Sequence, residues 1–148
     1  MHLVIGSDHA GWQLKQVVAP YIRSLGHELT DIGSYTDEPV DFPDIARAVA
    51  AKIISGEAVR GIMVCGTGVG ASIAANKIRG IRAAVCHDIH SAHQSVEHDD
   101  VNVMCIGAQI VGGWLAEDLV SSFLSARFST DEDFRRRVQK LIDLDAEA

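Results

Sequence analysis

Five short apolar runs alternate along this chain with longer segments of helical periodicity, and this alternation is the feature that most restricts its fold. The apolar runs are residues 3–5, 27–32, 61–65, 82–86 and 103–106. Strands covered on both faces read as continuous apolar runs, and consecutive parallel strands need a crossover of helix length. The pattern therefore predicts an α/β fold, a three-layer α/β/α, Rossmann-like domain with a five-stranded parallel sheet.

The segments between these runs have the amphipathic spacing of helices. We expect helices over residues 10–25, 43–54, 69–78, 89–98, 111–126 and 131–144. Pro20 lies inside the first segment and predicts a kink or an early end there, whereas Gly26 suits its C-terminal stop. No repeat or linker divides the 148 residues, so we expect one domain over residues 1–148.

Composition excludes several classes of function. The formal net charge of −7 argues against a nucleic-acid partner, because binding to phosphate backbones needs a basic surface. No apolar run approaches the ~20 residues of a membrane span, and the first residues lack the pattern of a signal peptide. Cys65, Cys86 and Cys105 lie in apolar runs, and this odd number fits reduced thiols better than a disulfide framework. We therefore expect a cytoplasmic protein with no membrane partner.

The stretch between the third predicted strand and the Ala-rich helix suggests chemistry. It reads Cys65-Gly66-Thr67-Gly68-Val69-Gly70. Its glycine spacing does not match the dinucleotide-binding fingerprint, and no Gly-Lys-Ser/Thr follows. Alternating glycines nevertheless let the backbone approach a ligand closely, and the amides of a helix N-terminus attract an oxyanion and favour a nearby thiolate. The loop therefore predicts an anion site beside Cys65, although a cysteine at a strand end is often just a small hydrophobe.

Parallel sheets bind ligands at the carboxyl ends of their strands. The residues that follow predicted strands, and should meet at that edge, are 7–9, 33, 65–70, 87–88 and 107. Asp8, His9 and Cys65 are therefore expected to converge. Asp8 has the alternative role of N-cap to the first helix.

Several motifs in combination resemble the type B ribose-5-phosphate isomerases, a family that includes galactose-6-phosphate isomerase subunits. The motifs are Gly6-Ser7-Asp8-His9-Ala10-Gly11, Cys65 to Gly70, Ser72-Ile73-Ala74-Ala75-Asn76-Lys77, Gly80-Ile81-Arg82-Ala83 and His98-Asp99-Asp100-Val101-Asn102-Val103. The resemblance covers nearly the whole chain. It implies an aldose–ketose isomerase that acts on a sugar phosphate through an enediolate, without a metal or an organic cofactor. It also implies a homodimer or tetramer whose active sites draw residues from both chains, with the C-terminal helix packing on a partner subunit.

The resemblance also implies roles for individual residues. Cys65 would be the base that moves a proton between carbons 1 and 2, and His98 would protonate the ring oxygen as the sugar opens. The groups that would hold the enediolate oxygen are the Thr67 hydroxyl and the amides of Gly66, Gly68, Val69 and Gly70.

The remaining implied roles concern the rest of the substrate. Asp8 would orient the sugar hydroxyls, while His9 and Arg137 would bind the phosphate. From the residues alone, His98 has the alternative of a solvated histidine at a helix end.

Three positions depart from the pattern of the family. Asp99 stands where an asparagine is usual, and Gln109 and Asp133 stand where many relatives carry arginine. Fewer cations and more carboxylates weaken a phosphate clamp that depends on bidentate arginines. We expect ribose 5-phosphate and ribulose 5-phosphate as substrates, with Asp99 and Gln109 among the binding residues. The alternative is a different aldose or aldose phosphate, namely a tetrose, a hexose or a free sugar.

Two other classes of function remain as alternatives. A non-catalytic subunit that binds sugar phosphates is disfavoured by the joint presence of Cys65, Thr67 and His98. A cysteine-based redox or phosphatase enzyme would need a Cys-x-x-Cys pair or a Cys-x5-Arg loop, which the chain lacks.

The remaining histidines and tryptophans have structural interpretations. His87, His90 and His93 follow at three-residue steps that drift around a helix, and no further ligand completes a cage, so we expect no metal. Trp12 and Trp114 are expected in the core or in a subunit contact.

Overall fold

The structure is a computed structural model that describes all residues, 1–148, as five strands and six helices. The strands are β1 (His2–Ser7), β2 (Glu28–Asp31), β3 (Arg60–Cys65), β4 (Ala83–Val85) and β5 (Val103–Gly107). The helices are α1 (Trp12–Ser24), α2 (Phe42–Ile54), α3 (Val69–Asn76), α4 (Ile89–Asp99), α5 (Gly113–Ser125) and α6 (Glu132–Glu147). Each expected strand and helix is present, with ends that differ by up to three residues.

The five strands form one parallel sheet in the order β2-β1-β3-β5-β4. The chain moves from β1 outward to β2 and then crosses to the other side of β1 with β3. Sheets of this kind bind ligands in the crevice expected at such a reversal, here between the carboxyl ends of β1 and β3. In register, Ser7 lies beside Val64, and Cys65 lies beside Gly107.

Helices cover both faces of the sheet, which confirms the three-layer α/β/α expectation. Side chains of α1, α4 and α5 pack on one face, where Ile62 and Val64 of β3 point. Side chains of α2 and α3 pack on the other face, where Met63 and Cys65 point. Successive residues of β3 are thus buried on opposite sides, which explains why its sequence is continuously apolar.

Two helices differ from the sequence expectation. α1 continues through Pro20 to Ser24, and the chain then turns at Gly26 with a φ of +89°. Gln16 and Pro20 both lie on the exposed side of α1, so the carbonyl that loses its helical partner can be solvated. α5 begins at Gly113 instead of residue 111, because the backbone of Gly112 is extended.

The outer surface carries several apolar side chains. Trp114 on α5 is 89% exposed, so it is not a core residue. α6 buries only Val138 and leaves Leu141, Ile142 and Leu144 about half exposed, at 43%, 43% and 60%. No helix in the structure combines the length and the apolarity needed to cross a membrane.

Arg60, at the start of β3, joins the sheet to the end of α5. Its guanidinium donates to the carbonyls of Phe123 and Ala126, each at 2.8 Å. The last carbonyls of a helix have no partners within the helix, so these bonds cap α5. Burial lowers the pKa of the Arg60 guanidinium.

We predict that Arg60→Met lowers the free energy of unfolding by about 2–3 kcal/mol, because the carbonyls that end α5 lose a charged donor. Urea denaturation at one fixed protein concentration measures this change. The control is Arg23→Met, since Arg23 is exposed on α1, and we expect a change below about 0.5 kcal/mol. Equal midpoints for the two variants would contradict the capping role of Arg60.

Candidate functional site

Three loops meet at the carboxyl edge of the sheet around the crevice. The N–H of Asp8 donates to the carbonyl of Val64 at 3.2 Å and joins the end of β1 to β3. The N–H of Ala108 donates to the carbonyl of Cys65 at 2.8 Å, and that of Gln109 to the carbonyl of Gly66 at 3.0 Å. The loops after β1, β3 and β5 are therefore held together by backbone hydrogen bonds.

Cys65 is the last residue of β3 and is buried. Its Sγ accepts a hydrogen bond from the N–H of Gly68 at 3.0 Å. Gly68 can turn its amide back toward the sulfur because its φ is +83°, in the left-handed region that favours glycine. An N–H directed at sulfur stabilises negative charge there, as a thiolate base requires.

The N-terminus of α3 lies directly beside this thiol. The first amides of a helix have no partners within it, and in α3 these belong to Val69, Gly70 and Ala71. The N–H of Val69 donates to the Thr67 hydroxyl at 3.3 Å, while Thr67 itself is exposed. The remaining amides and the positive end of the helix dipole can hold an oxyanion next to Cys65.

Asp8 and His9 stand on the other side of the crevice. The N-cap of α1 is Gly11, so the alternative in which Asp8 is itself the N-cap is wrong. The Asp8 carboxylate instead accepts the N–H of Gly11 at 3.0 Å, which fixes the turn before α1. His9 accepts the N–H of Val40 on Nδ1 at 3.1 Å, so the neutral ring carries its proton on Nε2 and can donate it to an anion.

Gln109 lies at the same edge as Cys65. Atoms of its side-chain amide are 3.3 Å from the position that a Cβ on Gly66 would occupy. The amide therefore covers one side of the loop between β3 and α3, within the same chain.

The other two cysteines are also buried, and all three thiols are free. Cys105 lies on the same face of the sheet as Cys65, and burial raises the pKa of its thiol well above the usual range. Burial also raises the pKa of Cys86. Both thiols therefore stay protonated. Only Cys65 is paired with an amide of the loop over residues 66–70, named the anion loop for its proposed role.

His98 lies at the opposite edge of the sheet in a single chain. α4 starts beyond the carboxyl end of β4 and runs back for 11 residues, a length of about 16 Å. Just past its end, the carbonyl of Asn102 accepts the N–H of Gly61 at the start of β3. The structure thus places His98 about one strand length away from Cys65 and does not bring the two together within one chain.

Phe134 joins His98 to Arg137 at that edge. The rings of His98 and Phe134 are stacked, with centroids 3.9 Å apart and planes 13° from parallel. The guanidinium of Arg137 lies 5.7 Å from the centre of the same ring. Phe134 is not among the site residues expected from the sequence, although its spacing of three from Arg137 places both on one helix face.

Asp133 and Asp99 lie near this group on exposed positions. The Asp133 carboxylate accepts a hydrogen bond from Arg136 at 2.7 Å, and that bond holds the pKa of Asp133 below its usual range. Arg136 is therefore engaged along α6, whereas Arg137 forms no ion pair.

Three histidines lie just before α4 or within it, and they do not converge on one point. They are His87, His90 and His93. His87 accepts the N–H of Gly107 on Nε2 at 2.9 Å, and His93 bonds to Glu97 at 2.6 Å. The structure contains no cluster of three or more His, Cys, Asp or Glu side chains that could hold a metal ion.

We predict that Gly68→Ala lowers the free energy of unfolding by about 1–2 kcal/mol, because an L-residue is strained at this positive φ. A Cβ there would also lie 3.3 Å from the backbone of Cys105. The control is Gly112→Ala, whose φ is −87° and whose Cβ would have no neighbour within 4 Å. Urea denaturation should show a change below about 0.5 kcal/mol for this control, since the gain from a stiffer unfolded chain offsets the loss of a favoured cap residue. Equal effects would show that the left-handed turn is not required.

Comparison with known proteins agrees with this fold. The family model described as Ribose/Galactose Isomerase matches residues 3–141. Ribose-5-phosphate isomerase B of Escherichia coli (strain K12) is 42% identical over 85% of this chain and 85% of its own length. D-erythrulose-4-phosphate isomerase of Pectobacterium atrosepticum is 39% identical over 86% of this chain and 85% of its own length.

Among solved structures, ribose-5-phosphate isomerase B of Clostridium thermocellum superposes with a TM-score of 0.96 and 44% identity, over 99% of both chains. These matches confirm the resemblance found in the sequence. The chain belongs to the ribose/galactose isomerase family of sugar-phosphate isomerases and is an aldose–ketose isomerase.

Proposed function

We propose that this protein interconverts ribose 5-phosphate and ribulose 5-phosphate through an enediolate, with Cys65 as the base. The observation that carries the proposal is the bond from the Gly68 N–H to Cys65 Sγ, beside the free amides of α3. A base and an anion site next to each other are what proton transfer beside a carbonyl needs.

In this mechanism the Cys65 thiolate removes the proton from carbon 2 of the open-chain aldose. The electrons of the carbon–hydrogen bond form a double bond between carbons 1 and 2, and the carbonyl oxygen becomes an oxyanion. The amides of Gly66 to Gly70 and the Thr67 hydroxyl stabilise this charge. The Cys65 thiol then returns the proton to carbon 1, and the hydroxyl proton passes from oxygen 2 to oxygen 1, which completes the ketose.

We propose further that each site is built from two copies of the chain. Asp8, His9 and Cys65 of one copy lie at the carboxyl edge of the sheet. His98 and Arg137 lie at the opposite edge of the same chain, where the strands begin, which is called the amino edge. None of the surface cavities of a single chain is lined by Cys65 or His98.

A homodimer in which the amino edge of one copy faces the crevice of the other joins the two groups. The apolar side chains of α6 that a single chain leaves exposed support this packing of the helix on a partner. Across the interface, the partner's His98 protonates the ring oxygen as the sugar opens. The partner's Arg137 binds the phosphate together with His9, whose Nε2–H is free to donate.

We predict that Cys65→Ala and His98→Asn are each nearly inactive, and that mixing the two restores activity. If dissociated subunits pair at random, half of the dimers are hybrids with one intact site of two, so about a quarter of the wild-type turnover returns. Steady-state turnover of ribose 5-phosphate after dissociation and reassociation measures the recovery.

The control is each variant taken alone through the same procedure, which should stay inactive. No recovery in a mixture shown by mass spectrometry to contain hybrids would contradict the shared site. Unchanged turnover in Cys65→Ala alone would remove Cys65 as the base.

A second candidate is an isomerase of the same chemistry with a different substrate. With Gln109 and Asp133 in place of arginines, Arg137 is the arginine left for the phosphate, because Arg136 is paired with Asp133 and Arg135 donates to the Ser129 carbonyl. The relative named D-erythrulose-4-phosphate isomerase shows that the family extends beyond pentose phosphates. The candidate substrates to compare with ribose 5-phosphate are therefore a four-carbon sugar phosphate, a hexose phosphate and a free aldose.

We predict that Gln109→Arg combined with Asp133→Arg lowers the KM for ribose 5-phosphate by about tenfold, because two guanidinium groups are added for the phosphate. The control is Gln13→Arg combined with Asp118→Arg, which changes net charge equally at exposed positions on α1 and α5.

The same assay compares ribose 5-phosphate, erythrose 4-phosphate, allose 6-phosphate and ribose in the wild-type protein. An unchanged KM in the double variant would show that Gln109 and Asp133 do not face the phosphate. Binding without turnover of any of these sugars would instead favour the non-catalytic subunit.

A further inference from the structure

We infer that His87 is a positioning residue that holds the anion loop beside Cys65 in its working geometry. This inference rests on the proposed function of that loop. The sequence grouped His87 with His90 and His93, but the structure separates it from them. His87 follows the edge strand β4 and faces the turn after β5, whereas His90 is exposed on α4.

His87 forms a hydrogen bond with Gly107, the last residue of β5. The Nε2 atom of His87 accepts the Gly107 N–H at 2.9 Å, and the imidazole is partly buried. An accepting Nε2 requires a neutral ring with its proton on Nδ1. Gly107 ends β5 and lies beside Cys65 in the register of the sheet. His87 thus fixes the residue that directly flanks the proposed base.

Gly107 in turn is in direct contact with the anion loop. A Cβ at Gly107 would lie 2.5 Å from Cα of Thr67 and 2.7 Å from the carbonyl oxygen of Gly66, so the two backbones are in direct contact. The next two amides, of residues 108 and 109, donate to the carbonyls of Cys65 and Gly66. A shift at Gly107 is therefore transmitted to the loop.

The placement of the anion loop affects the rate of the reaction. Oxyanion donors act only when they are placed accurately, and a displacement of about 1 Å can cost about 100-fold in rate. The His87 ring forms its side-chain hydrogen bond with Gly107, and none with the Cys65 thiol or with His9 and Arg137, which are proposed to bind the phosphate. Loss of its bond should therefore lower kcat and leave the KM nearly unchanged.

The test compares three substitutions of His87 in the full-length protein. His87→Gln keeps an acceptor at about the distance of Nε2, His87→Asn is polar but too short, and His87→Leu has no acceptor. We expect His87→Leu and His87→Asn to lower kcat for ribose 5-phosphate by about 10–100-fold, with KM within about threefold of wild type. We expect His87→Gln to retain kcat within about threefold. His90→Leu is the matched control and should behave as wild type.

The comparison of Gln with Asn carries the test even if His87→Leu does not fold. Equal loss in His87→Gln and His87→Asn, a KM that rises as kcat falls, or full activity in His87→Asn would each overturn the inference.

The rate at which iodoacetamide alkylates Cys65 is a readout that needs no turnover. If the wild-type protein isomerises none of the sugars, the proposed function fails, and a rate altered in His87→Asn but not in His87→Gln still supports positioning by His87. An equal rate in both variants would overturn it.

Discussion

The parallel hydrogen-bonded register of β1, β3 and β5 is the constraint on which the rest of this structure depends. Because all strands point the same way, the loops after them meet at one edge and bring Asp8, Cys65 and Gln109 together. The same geometry sends every connecting helix back to the opposite edge. His98, near the end of α4, therefore lies far from Cys65 in its own chain. The proposed sharing of the site between two copies would reconcile these positions with the proposed chemistry.

The carboxyl edge is organised by backbone amides more than by side chains. One amide, from Gly68, is directed at the Cys65 sulfur, and amides of the turn after β5 hold the carbonyls of Cys65 and Gly66. Such groups are preorganised, because their positions follow from the sheet and from the start of α3. The His87 side chain accepts the N–H of Gly107, and the backbone N–H of Val40 orients the ring of His9.

The elements of the fold could be predicted because each carries its own signal. β3 is apolar at every buried position since helices cover both of its faces, and α1 ends where Gly26 takes a positive φ. Predictions for individual residues were wrong where solvent exposure decided their position. Pro20 does not interrupt α1 because it lies on the exposed side, and Trp114 lies outside the core because it points away from the sheet. Phe134 was missed because stacking between helices leaves no periodic signal in the sequence.

The sequence by itself determined the order of strands and helices along the chain, the glycine-rich loop that follows Cys65, and the family to which the chain belongs. These properties follow from local patterns: hydrophobic periodicity, glycine spacing and short motifs. Only the tertiary structure decided which candidates are neighbours. It separated His87 from the other two histidines, and it placed His98 and Arg137 together around Phe134 at the edge opposite Cys65. The physical reason is that such contacts join residues far apart in the chain, and they depend on how the helices cross the sheet.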